Sequence, residues 1–313
     1  MEIINESVRF TKTGESGRGK VTGYHQKPNP KMLNKGGKVD VSGLKKKQVP
    51  LLIDGDESKF TIGFEVEKNE LSRGAVKEYE LFCGFERDGS CGYEAVTHVL
   101  PLLPPSMWRT KVFDMMHKAE RIIDDRFSPS DKRCGGHITV AVKGLSGERL
   151  LEMLRPISGV MLAMYRHRLV NVYCGANLRL EPCTQDIIYE NNNARWTSTY
   201  DGIRRYNSNG YSQRYRVALP KGDCLEWRLP SRVTSVAQMM RRYEFFYEFV
   251  EYAMTAKKPN IKLFLHKVRP VLVRLYDGNI EMVDAVSEMS VYFQEFINTG
   301  KVHDKIKRYI KTM

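Results

Sequence analysis

Side chains that could do chemistry recur on three short segments, each of which alternates polar and apolar residues. Glu65 and Glu67 lie in IGFEVEK, His137 opens HITVAV, and Glu226 and Arg228 lie in LEWRL. Residues two apart on a strand point to the same face, roughly 7 Å from each other. Carboxylates gathered on one face repel each other, and hard divalent cations relieve that repulsion while leaving room for phosphate oxygens. The spacing therefore indicates a site for magnesium and a nucleotide.

Each of the three segments also has a simpler interpretation. An E-x-E strand is commonly the solvated face of an antiparallel sheet. A histidine after Gly-Gly is more often structural than a ligand, and an E-x-R pair is more often a local ion pair. The polarity pattern that the three segments share favours a common site.

Hydrophobic periodicity predicts the elements that would position these side chains. Alternation predicts strands at TIGFEVEK, YELFCGFERDGS, CGGHITVAVKG and VALPKGDCLEWRLP. Helical spacing covers GERLLEMLRPISGVMLAMYRHRLVNVYC, which Pro156 is expected to kink or divide. From Val233 onward the chain is expected to be helical, with breaks near KKPN and YDGN. The pattern predicts an α+β fold in which a sheet packs on helices and leaves its polar face open.

Positive charge is concentrated in the first fifty residues. Eleven Lys and Arg stand there against four Asp and Glu, a net charge of +7 out of the +13 of the whole 313-residue chain. This composition predicts that residues 1–50 form a basic, flexible arm that could contact nucleic-acid phosphates. A solubilising tail, or an arm held by a partner subunit in an oligomer, explains the same composition.

Composition also argues against several classes of protein and site. No run reaches the roughly 18 apolar residues of a membrane span, and MEIINESVRF has no apolar signal core. The sequence therefore predicts a cytoplasmic protein with no membrane contact, whose six cysteines are mostly reduced thiols. No C-x-x-C pair accompanies Cys134 and His137, which argues against a zinc site, and there is no GxxxxGK[ST] phosphate loop.

Five sequence blocks, taken in order, carry a family resemblance. They are IGFEVEKNEL, ERDGSCGYEAVTHVLPLLP, CGGHITVAV, YRHRLVNVYC and LEWRLPS, and they run from about residue 60 to 232. These blocks resemble the signature of the amidoligase family, which comprises carboxylate–amine ligases related to glutamate–cysteine ligase and, more distantly, to glutamine synthetase. The resemblance implies a glutamine-synthetase-like antiparallel sheet in a catalytic core at 51–232, with a C-terminal helical region at 233–313 packed on that core.

The resemblance further implies ATP-dependent formation of an amide or isopeptide bond. ATP would phosphorylate a carboxylate substrate, and an amine acceptor, either a small molecule or a peptide, would displace phosphate from the acyl phosphate. The residues that would hold Mg²⁺ against ATP are Glu65, Glu67, Glu94, His137 and Glu226, with Asp88 as a further candidate. Cys91 and Gly92 make the interval before Glu94 less regular than the family pattern.

Three arginines receive roles from the same resemblance. Arg228 would bind the nucleotide and stabilise charge on the transferred phosphoryl group. Arg168 or Arg166 would orient substrate or phosphate. His137 would contact phosphate as well as metal, and Glu94 would act with Arg228 and Arg168 in catalysis.

The Arg- and Tyr-rich segment 189–216 is expected to be a lid over ATP and the acceptor. Binding of a nucleotide or of single-stranded nucleic acid and a locally packed insertion are alternatives for this segment. Two further functions stay open for the whole chain. One is a divalent-metal nuclease or other phosphodiester enzyme, and the other is a non-enzymatic nucleic-acid-binding or structural protein.

Overall fold

The computed structural model describes residues 31–33, 50–72, 80–88, 91–170, 217–299 and 303–311. Nearly all of the predicted basic arm and the whole segment 189–216 lie outside these residues. The described chain is mixed α and β, as the sequence predicts. It divides into two compact units, the first comprising 1–143 with 231–243 and the second 144–230 with 244–313. The predicted boundaries at 50/51 and 232/233 stay predictions.

The first unit is built on antiparallel strands centred on β3. Strand β4 pairs with β5, β5 and β6 pair in succession with one edge of β3, and β7 pairs with its other edge, while β1 and β2 form a separate parallel pair. The strands are β1 (Lys31–Leu33), β2 (Leu51–Ile53), β3 (Phe60–Lys68), β4 (Phe82–Asp88), β5 (Gly92–Thr97), β6 (Leu100–Pro101) and β7 (Ile138–Val142).

Alternation on β3 follows the sequence pattern on its apolar side. Ile62, Phe64 and Val66 are buried, as predicted. The pairing register of β3 shifts by one residue between β6 and β5. At that point the Thr97 hydroxyl accepts the backbone N–H of Phe64 at 2.9 Å. The side chain therefore satisfies a buried donor that the irregular ladder leaves without a strand partner.

In the first unit, Tyr243 attaches its helix to the segment that follows β6. Helix α1 (Met107–Lys118) is followed by the short α2 (Glu120–Ile123), and the first turns of α5 (Val236–Thr255), up to Tyr243, belong to this unit. The Tyr243 hydroxyl donates to the carbonyl of Pro101 at 2.6 Å and accepts the N–H of Leu103 at 2.8 Å. These bonds attach the helix to the segment that leaves β6.

The second unit is mostly helical and contains one β-hairpin. Its remaining elements are α3 (Gly147–Leu154), α4 (Gly159–Met164), β8 (Ala218–Lys221), β9 (Cys224–Trp227), α6 (Ile261–Leu275), α7 (Ile280–Thr299) and α8 (Asp304–Lys311). A 3₁₀ turn at Arg155–Ile157 separates α3 from α4. Pro156 lies in that turn, so the prediction that it divides the helix is confirmed, because proline has no N–H to continue the ladder.

Breaks in the C-terminal helices fall where the sequence predicts them. The Asn260 side chain accepts the N–H groups of Lys262 and Leu263 and caps the start of α6, and residues 276–279 separate α6 from α7. Among the helices of the described residues, none is long and apolar enough to cross a membrane.

Candidate metal centre

Glu65 and His137 are cross-strand neighbours in the first unit. The backbone N–H of Glu65 donates to the carbonyl of His137 at 3.0 Å, which extends the β3–β7 ladder by one residue. Neighbours on one face of an antiparallel pair have close side chains. Accordingly, Nδ1 of His137 lies 2.6 Å from Oε2 of Glu65.

Glu67 contacts the same histidine from the other side. Its Oε2 accepts the backbone N–H of Gly135 at 2.6 Å. Its Oε1 lies 3.8 Å from Nε2 of His137, which is too long for a hydrogen bond. The imidazole of His137 therefore faces two carboxylates. Glu65 is hydrogen-bonded to Nδ1, whereas Glu67 lies near Nε2 without a hydrogen bond.

Glu94 joins this face through the pairing register. Residue 94 on β5 lies directly opposite Glu67 on β3, a position where Cβ atoms are about 4.5–5.5 Å apart. The register also places Glu86 of β4 opposite Glu94, a neighbour that the sequence analysis missed because pairing cannot be derived from alternation alone. The side chain of Asp88 lies outside the described part of the chain.

The sequence pattern predicts that the polar face of β3 is exposed to solvent, but in the structure this face is buried. Glu65, Glu67, Glu94 and His137 are each only 6–7% exposed. Part of the cover is the chain leading into β7, since Gly135 contacts the Glu67 carboxylate. Charges interact more strongly when they are removed from water. Burial therefore strengthens the electrostatic interactions among the charged groups on this face.

A turn ahead of β7 sets the position of His137. The carbonyl of Asp131 accepts the N–H of Cys134 at 3.0 Å. Hydrogen bonds with the Arg133 side chain lower the pKa of Asp131 to about 2. Arg242 donates through Nη1 to the carbonyl of Ser231 at 2.6 Å, and Ser231 is bridged to Gly135. The Asp131–Cys134 hydrogen bond and the bridge between Gly135 and Ser231 therefore fix the backbone that leads into His137.

Replacing Gly136 by Ala is expected to displace His137 and destabilise the protein by about 1–3 kcal/mol. A Cβ at this position would collide with the carbonyl of Ser231 and lie 3.2 Å from Nη1 of Arg242. Urea unfolding would measure the stability, and calorimetric titration with Mn²⁺ would measure the effect on the site. Wild-type values in both experiments would contradict the close packing described.

Lys68 is a buried cation that the sequence analysis did not identify. It lies on the apolar side of β3 and is 0% exposed. Its Nζ donates to the carbonyl of Ile123 at 2.7 Å, to Oδ1 of Asp125 at 2.7 Å and to the carbonyl of Val233 at 2.9 Å. Burial lowers the pKa of Lys68 from its ordinary value. The signal was available, since alternation places residue 68 on the same face as Val66.

In the second unit, Glu226 lies between two cations. On β9 it pairs in register with Leu219 of β8, and it is 0% exposed rather than solvated. Its carboxylate contacts the ammonium of Lys221 and the guanidinium of Arg228. The predicted local E-x-R ion pair is therefore present, and Lys221 is a third member that the motif did not reveal.

The two candidate arginines before residue 170 have different surroundings. Arg168 is 4% exposed, and its backbone N–H donates to the carbonyl of Tyr165 at 2.8 Å. The guanidinium of Arg166 lies 4.0 Å from the ring centre of Tyr309 and donates to that residue's carbonyl at 3.1 Å. Their roles in binding substrate or nucleotide stay predictions.

The donors of the first unit fit a divalent cation. Carboxylate oxygens suit Mg²⁺, and an added imidazole suits Mn²⁺ as well. The 3.8 Å between Nε2 of His137 and Oε1 of Glu67 is within the span of two ligands that each lie about 2.1 Å from one ion. Glu65, which holds Nδ1, has the place of the carboxylate that commonly orients a ligating histidine.

A scan against protein-family models finds no match to this chain, and a search of curated proteins finds none either. These comparisons assign no family, so the resemblance to amidoligases stays a prediction from the sequence blocks.

Proposed function

We propose that this protein is an ATP- and Mg²⁺-dependent carboxylate–amine ligase on a glutamine-synthetase-like scaffold. The observation that carries the proposal is the buried group in which His137 contacts Glu65 and faces Glu67, with Glu94 opposite Glu67 in register. These four residues belong to three of the blocks that resemble amidoligase motifs. Support thus comes from a site whose donors suit a magnesium ion and from the motifs that contain those donors.

Glu65 sets the tautomer of the histidine. With Nδ1–H donated to Glu65, Nε2 carries the lone pair and faces Glu67. Glu67 and Nε2 of His137 would then be placed to hold Mg²⁺, and the resemblance adds Glu94, which lies opposite Glu67 in register. A bound Mg²⁺ ion neutralises charge on the ATP phosphates, which is most of what phosphoryl transfer requires from a protein.

Arg228 is assigned to phosphoryl transfer by the resemblance. Glu226 fixes its guanidinium through the ion pair, and the planar group can contact two phosphate oxygens at once. In the proposed reaction the substrate carboxylate attacks the γ-phosphorus of ATP and ADP leaves. The amine then attacks the acyl carbon, phosphate leaves, and the amine loses a proton.

Arg228→Lys is expected to lower the rate of amine-dependent phosphate release by about 100-fold, the effect of losing one preorganised donor to the transition state. Lysine keeps the charge but cannot reproduce the planar, two-pronged contact. The matched control is Arg274→Lys, which changes an exposed arginine paired with Glu244 and should leave the rate unchanged. Equal rates in the two variants would remove Arg228 from the site.

A hydroxylamine trap tests the function without knowledge of the natural amine. The protein would be incubated with ATP, Mg²⁺, pooled carboxylates and hydroxylamine, because an acyl phosphate reacts with hydroxylamine to give a hydroxamate. The proposal expects ATP-dependent hydroxamate and ADP, both lost when the divalent cation is chelated. Oligonucleotide cleavage without ATP, with no hydroxamate, would instead identify a nuclease.

A further inference from the structure

One buried carboxylate in the second unit holds two cations, one on each of its oxygens. Oε2 of Glu226 contacts the ammonium of Lys221, and Oε1 contacts the guanidinium of Arg228. The side chain of Glu226 is 0% exposed, whereas those of Lys221 and Arg228 are 32% and 12% exposed. Solvent therefore does not reach the negative charge of this group, but it reaches both positive charges.

The pairing of the β-hairpin explains why these three side chains meet. Strands β8 and β9 pair so that Lys221 lies opposite Cys224, two residues before Glu226. The backbone N–H of Arg228 donates to the carbonyl of Val217 at 2.9 Å, which extends the ladder by one residue. Residues two apart on a strand share a face, and diagonal neighbours across a pair lie within reach of long side chains. Lys221, Glu226 and Arg228 consequently share one face of the hairpin.

Packing of the opposite face and of the turn fixes the position of the hairpin. Trp227 is buried on the opposite face, and its ring centre lies 5.7 Å from that of Phe249. At the turn, the carbonyl of Gly222 accepts the N–H of Gly147 at 2.8 Å. A Cβ on Gly147 would collide with the carbonyl of Cys224, so α3 begins directly against the turn. Side chains on such a packed element are presented in a defined geometry.

Two features of this group call for a bound anion. Two cations and one carboxylate leave a formal charge of +1, and Asp223, the other carboxylate of the hairpin, is exposed in the turn, where solvent screens its charge. Among the residues that the structure describes, Nε of Arg228 has no hydrogen-bond partner although it is shielded from solvent. An unsatisfied buried donor is costly. An oxyanion would supply both the missing charge and the missing acceptor.

We propose that Lys221 is a second phosphate-binding residue, which with Arg228 takes the terminal phosphoryl group of ATP, and that Glu226 positions both cations. The identity of the ligand rests on the proposed function, because the phosphate contact of Arg228 comes from there. The proposal is carried by the carboxylate that Lys221 and Arg228 share. Since a terminal phosphate has three oxygens that point in different directions, it can accept hydrogen bonds from both cations at once.

Calorimetric titration of the full-length protein tests the role of Lys221. Lys221→Gln, which can still donate to Glu226 but has no charge, should bind inorganic phosphate about 10–100-fold more weakly, the effect of losing one charge-assisted hydrogen bond. Divalent cations are chelated in this titration, so that binding reports the cations of the protein. With Mg²⁺ present, the β,γ-imido analogue of ATP should lose affinity similarly, and ADP, which lacks the terminal phosphoryl group, should not.

Two further variants separate charge from structure. Lys221→Arg keeps the charge and should recover most of the affinity lost in Lys221→Gln. Lys267→Gln is the matched control and should bind phosphate as the wild type does, since Lys267 is 39% exposed and pairs with Glu248 at 2.8 Å and with Glu251 at 2.5 Å. Equal phosphate affinity in wild type and Lys221→Gln, or an equal loss of phosphate and ADP affinity, would overturn the proposal.

Chemical protection tests the same residue in the wild type, because removing one partner of a buried ion pair can prevent folding. The protein would be acetylated with and without phosphate and then digested with trypsin. Acetylation of Lys221 blocks cleavage there and leaves a single peptide of residues 217–228. Phosphate should slow the appearance of this peptide and leave the acetylation rate of Lys267 unchanged. Equal rates at Lys221 with and without phosphate would contradict the site.

The two proposals fail in distinguishable ways. Protection of Lys221 by phosphate in a protein that forms no hydroxamate would support the anion site and contradict the ligase. Hydroxamate formation at the wild-type rate in Lys221→Gln, with unchanged phosphate affinity, would overturn the role of Lys221 and leave the ligase intact.

Discussion

Replacing Glu67 by Gln is expected to lower Mn²⁺ affinity by at least about 100-fold, since even residues outside the ligand shell contribute 10–100-fold. Amine-dependent phosphate release should be lost with it. Glutamine keeps the shape, and its carbonyl oxygen can still accept the Gly135 N–H that Glu67 accepts at 2.6 Å. What is removed is the charge, the property that a divalent cation requires of this side chain.

Stability separates a lost ligand from a lost fold in this variant. Glu67 lies opposite Glu94, and like charges in that position are destabilising. The metal-free variant should therefore unfold with a free energy within about 1 kcal/mol of the wild type. Glu57→Gln is the control, because Glu57 is exposed and pairs with Lys143 at 3.5 Å. Unchanged Mn²⁺ affinity in Glu67→Gln would contradict the metal centre.

Lys68→Met is expected to cause the largest loss of stability, about 3 kcal/mol of unfolding free energy, as breaking a buried ion pair typically costs. Methionine fills a similar volume but donates no hydrogen bond. The carbonyls of Ile123 and Val233 would lose their buried donor and Asp125 its cation. Each orphaned buried acceptor costs about 1–3 kcal/mol. Urea unfolding followed by circular dichroism would measure the difference.

Lys143→Met is the matched control for Lys68. Lys143 carries an exposed ion pair with Glu57, and such surface pairs are worth about 0–1 kcal/mol. Comparing the stability of the two variants therefore separates the effect of removing a buried lysine from the effect of removing an exposed one. Equal stability of the two variants would show that the three bonds of Lys68 contribute little to the fold.

Local pattern predicted much of this structure correctly. Alternation identified β3 with its buried Ile62, Phe64 and Val66, and the helix division at Pro156 and the C-terminal helices also agree with prediction. Alternation also placed Glu65 and Glu67 on one face. These properties depend on residues within a few positions of each other, and the period of a strand or helix is a local quantity.

Contacts between distant segments could not be predicted in the same way. The β3–β5 register places Glu94 opposite Glu67, and the β3–β7 ladder places His137 opposite Glu65. A slip of one residue in either pairing would move these side chains to the other face. The alternating pattern suggested His137 as a site residue and the resemblance to amidoligases suggested both residues, but neither predicted which residues they lie opposite.

Burial of the polar side of β3 is the main difference between the predicted and the observed structure. The polar side of β3 was expected to be solvated, yet Glu65, Glu67 and Glu94 are buried. Alternation shows that the two faces of a strand differ in polarity, but it does not show which other segments cover each face. The chain ahead of β7, which contacts Glu67 through Gly135, provides cover that only the tertiary structure reveals.

The sequence by itself determined which residues share a strand face, where helices break, and which carboxylates and histidine are available for chemistry. The tertiary structure alone decided that His137 lies between two carboxylates and that Lys68 has three buried acceptors. Local periodicity follows from backbone geometry, whereas these contacts require particular pairing of segments far apart in the chain, which depends on the packing of the whole unit.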